Sequence, residues 1–549
     1  MLNEIFQLAL QISFEVVNKL KIQGKTSLIY NVMKPRGIFI LLSILITGTV
    51  ALVYPFWNNV LWFMAFFGPL ILIGYFDIFQ KKHSIRRNFP VIGNLRFILE
   101  SIRPEIMQYF VENDTDGRPI NRLDRSLIYQ RAKKVNDTAP FGTQLNVYDI
   151  GYEWMDHSIY AKNRKEIDHD PRVMIGGPDC LKPYAASLMN ISAMSFGSLS
   201  MNAVLAMNKG AKIGGFAQNT GEGGISPYHL QYGGDLIWQI GTGYFGCRDK
   251  KGNFNPVTFK ENASIPNVKM IELKISQGAK PGHGGLLPAS KNTEEIAAIR
   301  HVEPHTTVHS PNTHSAFTNA TELMYFIKEM RELSGGKPVG FKMCIGKQIE
   351  FTDICEAMIA TGIKPDFITI DGGEGGTGAA PVEFSNAIGI PLRDGLAYAV
   401  NTLRGYDLKK DISVVASGKV FSSFDIARLI AIGADTVACA RAMMLATGCI
   451  QALLCHKNTC PVGVATQDKS LMRGLDVEDK SQRVANFHSQ TVYSFIELMA
   501  ASGVTTPQGL KRVHINRRVE MDKIKKYSEI YPLTEVGSLL KKEELEMVN

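Results

Sequence analysis

At 549 residues, 45% apolar and 20% charged, the chain has the composition of a protein with a substantial core, which excludes a disordered chain. The formal net charge of +8 is modest and its lysines and arginines are spread rather than striped, which argues against nucleic-acid binding. Eight cysteines without a framework spacing exclude a small disulfide-stapled scaffold and suit a reducing compartment.

In chain order, residues 1–36 form an N-terminal segment whose apolar positions, from Ile5 to Val17, suit an interfacial helix or a frayed end. No charge stands between Arg36 and Asp77. That uncharged run is about twice the length that one bilayer-crossing helix needs. Pro55, Asn58 and Asn59 supply a turn in its middle, so the sequence predicts a transmembrane helical hairpin over 37–79, with spans at 37–53 and 61–79. A pair of buried core helices is the competing reading. Lys19, Lys21, Lys25, Lys34 and Arg36 precede the hairpin, and Lys81, Lys82, Arg86 and Arg87 follow it. The positive-inside rule then puts both termini on the cytoplasmic side of the cell membrane. A second span and the lack of a small-residue cleavage site argue against a cleaved signal peptide.

Residues 80–170 are charged and mixed, with one helical piece at 124–135, and read as a linker and scaffold layer. From 171 to 480, short β-branched runs alternate with amphipathic stretches. The expected strands are 188–194, 212–218, 270–275, 339–344, 367–371, 413–417 and 436–440; the expected helices are 316–333, 349–361, 384–404 and 424–432. Such alternation implies a parallel sheet, and about eight units in this length favour a closed (β/α)8 TIM-type barrel. Residues 481–549 form a C-terminal helical extension, with a helix at 481–502.

Three motifs carry chemistry. After the strand 413–417, Gly418 and Lys419 make a small-residue turn, and a second turn follows the strand that ends before Arg441. Turns of this kind after strands seven and eight of a barrel cradle phosphate, although Gly418 and Gly433 can also be ordinary turn glycines. The glycine-rich run 371–378 (DGGEGGTG) makes sense where a flat ring or phosphate lies against bare backbone, a flexible surface loop being the alternative. Cys449, Cys455 and Cys460 are crowded within one short stretch, the last followed by Pro461, and suit a thiolate-ligated cluster. Zinc would want a fourth ligand, and His456, adjacent to Cys455, is poorly placed to share the ion. Three free buried thiols is the bland alternative.

Together with residues 190–200 (NISAMSFGSLS), 219–224 (NTGEGG), 277–285 (QGAKPGHGG), 371–381 (DGGEGGTGAAP) and 455–467 (CHKNTCPVGVATQ), these motifs resemble the FMN domain of the glutamate synthase large subunit. They occur in the same order and at similar spacing. The whole chain looks like the membrane-associated, FMN-binding glutamate synthase-like proteins of bacteria. The resemblance implies reduction of 2-iminoglutarate, made from 2-oxoglutarate and ammonia, by hydride from reduced FMN. Electrons would reach the flavin through a [3Fe–4S] cluster on Cys449, Cys455 and Cys460. By the same resemblance, Glu222, Lys280 and Ser195 are catalytic, and Met194, Ser195, Lys280 and Arg300 bind substrate. Met194, Asp371, Gly372, Gly373, Ser417, Gly418, Gly433 and Arg441 would hold the FMN.

Two positions depart from the family pattern. Leu286 stands where the family has a glutamine that touches the keto acid, and His283 replaces a glutamate. An apolar side chain cannot replace the hydrogen bonds of an amide, so the substrate is open to change. No amidotransferase domain is expected in this chain. The alternatives are an FMN oxidoreductase acting on a different 2-oxo or amino acid, and a membrane-tethered electron-transfer subunit. The expected partners are a small keto or amino acid, the membrane and an electron donor that the sequence does not identify, with no nucleic acid.

Overall fold

The computed structural model describes residues 34–135 and 138–540. The apolar positions between Ile5 and Val17, and Lys19, Lys21 and Lys25, lie outside the described residues. The chain divides into two units, Met1–Asn113 and Asp114–Asn549.

In the first unit, helices Pro35–Val53 and Leu61–Phe79 are joined by a turn and a short 3-10 segment, Asn58–Val60. Pro35 opens the first helix, where a missing N–H costs nothing. The two helices pack through Phe39 and Tyr75, ring centroids 5.4 Å apart, and through a 2.8 Å hydrogen bond between Ser43 Oγ and the Tyr75 hydroxyl. Most of their other side chains are exposed: Leu52, Trp62, Leu72 and Phe79 are all more than 70% exposed. Each helix is 19 residues long, and both are apolar enough to cross a membrane.

In the second unit, eight parallel strands close into a barrel. They are β1 (Met189–Ile191), β2 (Gln218–Asn219), β3 (Leu236–Ile240), β4 (Val268–Lys274), β5 (Val339–Met343), β6 (Phe367–Asp371), β7 (Ser413–Ser417) and β8 (Thr436–Cys439). β8 pairs back onto β1, with Ala438 opposite Asn190. The helices Met201–Gly214, Pro256–Ala263, Ala320–Leu333, Gln348–Thr361, Leu392–Gly405 and Ser423–Ile432 lie between successive strands. Helix Val477–Ala501 packs along Met201–Gly214, and Arg122–Lys133 packs on it in turn.

Four readings of the sequence are corrected. The extension 481–549 is not helical throughout: beyond helix Val477–Ala501, Ile515–Arg518 and Ile524–Lys526 are strands, and Ile515–Arg518 pairs with Glu153–Met155. Residues 212–218 are not a strand. Ser200 caps a helix over Met201–Gly214 that buries Ala203, Val204, Ala206, Met207, Gly210 and Ala211 at helical spacing, and only Gln218–Asn219 pairs in the barrel. The expected helix 384–404 is two helices, Val382–Ala387 and Leu392–Gly405, because Pro391 forces an extended entry into the second. Strand β3 was not expected: its run Leu-Ile-Trp-Gln-Ile is short, and Gln239 interrupts its apolar texture.

Inside the barrel, an apolar cluster of Met270, Phe367, Val415 and Ala438 lies toward the amino ends of the strands, and a polar layer lies above it. Glu272, 3% exposed, accepts hydrogen bonds from Asn219 Nδ2 (2.8 Å), Gln239 Nε2 (2.6 Å) and Thr369 Oγ1 (2.6 Å). Burying a carboxylate is costly unless it is fully hydrogen-bonded. Here four strands share that task.

Candidate active site

A cavity of about 730 Å³ opens at the carboxyl ends of the barrel strands. This is where open βα loops converge in such a fold. Every strand or the loop that follows it contributes to the wall: Ser192 after β1, Glu222 after β2, Gln239 in β3, Lys274 in β4, Lys342 in β5, Asp371 in β6, Ser417 in β7 and Cys439 in β8.

On one side lies a charged cluster. Gly221 has a φ of +64°, and a Cβ there would stand 2.6 Å from the Ser195 nitrogen. Only glycine lets the β2 turn close so tightly on Met194 and Ser195, and this brings Glu222 to the cavity wall. Lys274 Nζ pairs with Glu222 Oε1 at 2.9 Å. Arg300, the last residue of helix Glu294–Arg300, is 5% exposed; its Nη2 donates to Ser195 Oγ (3.3 Å) and to the Phe196 carbonyl (3.2 Å). Its Nε is buried without a partner. Lys280 Nζ donates to the Ala379 carbonyl at 3.1 Å.

The charges answer one another. Burial would raise the Glu222 carboxyl, but Lys274, Lys280 and Arg300 outweigh burial and hold it below its ordinary value of 4.5. Burial, and secondarily Lys274, push the Lys280 ammonium down, with Glu222 opposing them. Burial lowers Arg300 to about 10, so it stays a cation. His314 receives the same treatment and falls to about 4; neutral, it bridges the Tyr244 hydroxyl and the Lys274 carbonyl.

On the opposite side, bare backbone and phosphate-type turns line the wall. Asp371 Oδ2 accepts from the Gly278 N–H at 2.8 Å and faces Lys342 Nζ at 3.4 Å. Burial would lower Lys342, but Asp371 and Glu272 outweigh it and keep the ammonium charged. Ser417 Oγ meets Ser192 Oγ at 3.2 Å. Gly418, Lys419 and Val420 follow at the rim, and Arg441 Nη2 donates to the Glu374 carbonyl at 2.7 Å. Gly375, Gly376 and Gly378 present main chain to the cavity.

The structure thus gathers Met194, Ser195, Glu222, Lys280, Arg300, Asp371, Ser417, Gly418, Arg441, Cys449 and Cys455 around one space. It does not bring Gly433 there. Gly433 caps helix Ser423–Ile432 and precedes β8, at the far end of the barrel, with Val400 against it. Gly372 and Gly373 also stand outside the wall: their N–H groups go to the Ser417 and Ile390 carbonyls. Leu286 lines the cavity, 38% exposed, whereas the His283 ring packs edge-on against Phe384 away from it. Sequence reasoning missed Lys274, Lys342 and Gln239, and named Lys419 only as part of its turn. Their signal was a charged or amide side chain inside an otherwise apolar strand, or beside a glycine turn.

The cysteines Cys449 and Cys455 reach the cavity wall, and Cys460 is buried behind it. Burial pushes the Cys449 thiol up to about 12, with Cys455 and Cys460 near enough to add to the shift. Among the described residues, no three His, Cys, Asp or Glu side chains converge as ligands of one ion. Lys291, 2% exposed, donates through Nζ to the Ser198, Cys455 and Ala465 carbonyls and ties this loop to the Ser195 loop.

Comparison with known proteins extends this picture. A family model described as the conserved region in glutamate synthase matches residues 146–505. The glutamate synthase large subunit-like protein YerD of Bacillus subtilis (strain 168) is 38% identical over 494 residues, 82% of this chain and 94% of that protein. The archaeal glutamate synthase (NADPH) of Methanocaldococcus jannaschii is 35% identical over 322 residues, 58% of this chain and 60% of that relative. Among solved structures, the flavin-binding domain of baker's yeast flavocytochrome b2 matches with a TM-score of 0.40 at 11% identity, over 82% of this chain and 90% of that one. A lactate oxidase of Pediococcus acidilactici matches with a TM-score of 0.40 at 12% identity, over 77% and 94%. The family model spans all eight barrel strands and the long helix beyond them, and the chain belongs to the glutamate synthase family.

Proposed function

We propose that this chain is a membrane-anchored FMN oxidoreductase of glutamate synthase type, which reduces 2-iminoglutarate, formed from 2-oxoglutarate and ammonia, to glutamate. The observation that carries the reading is the two-sided cavity. Its one wall offers backbone and the Ser417–Lys419 and Arg441 turns; its other wall offers the Glu222, Lys274, Lys280 and Arg300 cluster. The volume of about 730 Å³ suits a ligand of cofactor size. Bare glycine backbone beside a cationic rim fits an isoalloxazine ring and a phosphate, which supports FMN. When bound, FMN supplies a two-electron hydride donor.

The chain's own residues then have distinct tasks. Arg300, a rigid fork with an unpartnered buried Nε, grips a substrate carboxylate. Glu222 is held as an anion, so it stabilises the positive charge of a protonated imine rather than donating the proton. Lys280, an ammonium whose proton burial loosens, is placed to hold that proton and to contact a second carboxylate. Gln239 and Lys342 close the floor.

Cys449, Cys455 and Cys460 are proposed to carry a [3Fe–4S] cluster that delivers electrons. Cluster ligands bind different iron atoms and stand farther apart than the ligands of one ion. Their mutual influence and their place beside the cavity support the assignment. The two apolar helices would span the cell membrane, with the barrel in the cytoplasm. The electron donor is left open.

Leu286 favours a second reading, an FMN oxidoreductase acting on another 2-oxo or amino acid, because it faces the cavity and offers no hydrogen bond. One experiment separates the two. Full-length protein, reduced anaerobically, is mixed with ammonium and each of a panel of 2-oxo acids while flavin reoxidation is followed. Rapid reoxidation by 2-oxoglutarate, with glutamate formed, supports the first reading. Response to a different acid alone transfers the assignment to the second, and no response to any acid leaves an electron-transfer role.

A further inference from the structure

The first unit carries an apolar face that the hairpin does not use. Beyond Phe79, a basic stretch containing Lys81, Lys82, Arg86 and Arg87 leads into helix Gly93–Ile106, which continues through a widened π turn, Met107–Val111. Leu95, Ile98, Leu99, Ile102, Ile106 and Phe110 recur at spacings of three and four residues, so they share a stripe roughly 120° wide. All six are at least 37% exposed, and Phe110 is 84% exposed. Arg96, Glu100 and Arg103 take the other side, with Arg96 and Glu100 paired at 3.5 Å. A continuous apolar stripe of this length is rarely left in water.

The depth of this helix is fixed by contacts at its start. Asp77, in the last turn of the second long helix and 1% exposed, accepts hydrogen bonds from the Val91 N–H (3.0 Å) and from Asn94 Nδ2 (2.5 Å). The Arg86 guanidinium lies 4.3 Å from the Phe97 ring centroid, and the His83 ring meets Phe97 in an edge-on arrangement, centroids 4.9 Å apart. The first turn of helix Gly93–Ile106 is therefore held level with the end of the second span. At that level, one surface matches a helix with an apolar stripe, a polar back and flanking cations: the headgroup boundary of a bilayer.

We infer that residues 93–111 lie along the membrane surface, with the Leu95–Phe110 stripe in the acyl-chain boundary and the basic stretch among anionic headgroups. This rests on the reading of the two long helices as membrane spans. The partner is lipid, and the helix is a second anchoring element continuous with the hairpin.

Photocrosslinking in full-length protein in its native membrane tests this. The photoreactive residue p-benzoylphenylalanine is placed singly at Ile98 or Ile102 on the stripe, at Glu100 on the polar back and at Phe66 within the second span. Lipid adducts are expected at Ile98, Ile102 and Phe66, with yields about tenfold above that at Glu100. Lipid adducts at Phe66, with Ile98 and Ile102 crosslinked to protein or giving no lipid adduct above Glu100, overturn the surface helix and leave the hairpin standing. Loss of adducts at Phe66 as well overturns both.

Discussion

Glu222 decides which proton chemistry the cavity supports. Three cations face it and hold its carboxyl below the ordinary value, so in the proposed reaction it acts as an anion. Replacing it by Gln keeps the shape and removes the charge that a protonated imine needs. E222Q is expected to lower kcat about 100-fold while flavin content stays that of wild type; an unchanged kcat contradicts the assigned role. The same charge has a signature in stability. A carboxylate with a depressed folded pKa contributes stability in full above its ordinary value of 4.5, and the contribution is lost as pH falls through the folded value. Acidification from neutrality to about pH 3 should therefore cost the wild type more stability than E222Q, read as the change in urea midpoint. Equal losses in the two proteins would show that Glu222 is not held below its ordinary pKa. At this scale the sequence was legible where family motifs named residues and illegible where charge hid in strands. Lys274 and Lys342 look like interruptions in apolar runs until the barrel closes and points them at Glu222 and Asp371.

Strand ends carry most of the charged wall of the cavity, and contacts between the loops beyond them set how its rim closes. Gly278 follows β4 and comes so close to the loop after β6 that a Cβ on it would stand 1.6 Å from the Gly372 carbonyl oxygen. The contact lets Asp371 receive the Gly278 N–H and orient Lys342. G278A must push these loops apart, and we expect it to weaken flavin retention at least about tenfold, a cost of about 1.4 kcal/mol or more. G346A is the control, since nothing lies within 4 Å of the added methyl. Equal flavin content in both variants would refute the loop contact. Strand–helix alternation was legible because short buried strands and amphipathic helices differ in period. The two-residue β2 and the amide-bearing β3 were not, because closure of the barrel rather than local propensity makes them strands. Gly372 and Gly373 have a recognisable motif, but their N–H groups go to the end of β7 and to the Ile390 carbonyl.

At the scale of the whole molecule, the proposed function requires a flavin-binding barrel and a membrane anchor in one chain. The apolar helices Pro35–Val53 and Leu61–Phe79 predict that full-length protein stays in the membrane pellet through alkaline carbonate washing and is released only by detergent. Release by carbonate alone would reduce the hairpin to a peripheral contact. The central claim is that the cavity at the strand ends takes one flavin, and flavin stoichiometry tests it most directly. Detergent-solubilised full-length protein is denatured and its supernatant analysed for FMN by mass and fluorescence, with the protein concentration measured in parallel. One FMN per chain, released without covalent attachment, is expected, with its loss in G278A. A folded, colourless preparation that takes up no FMN on titration would contradict it.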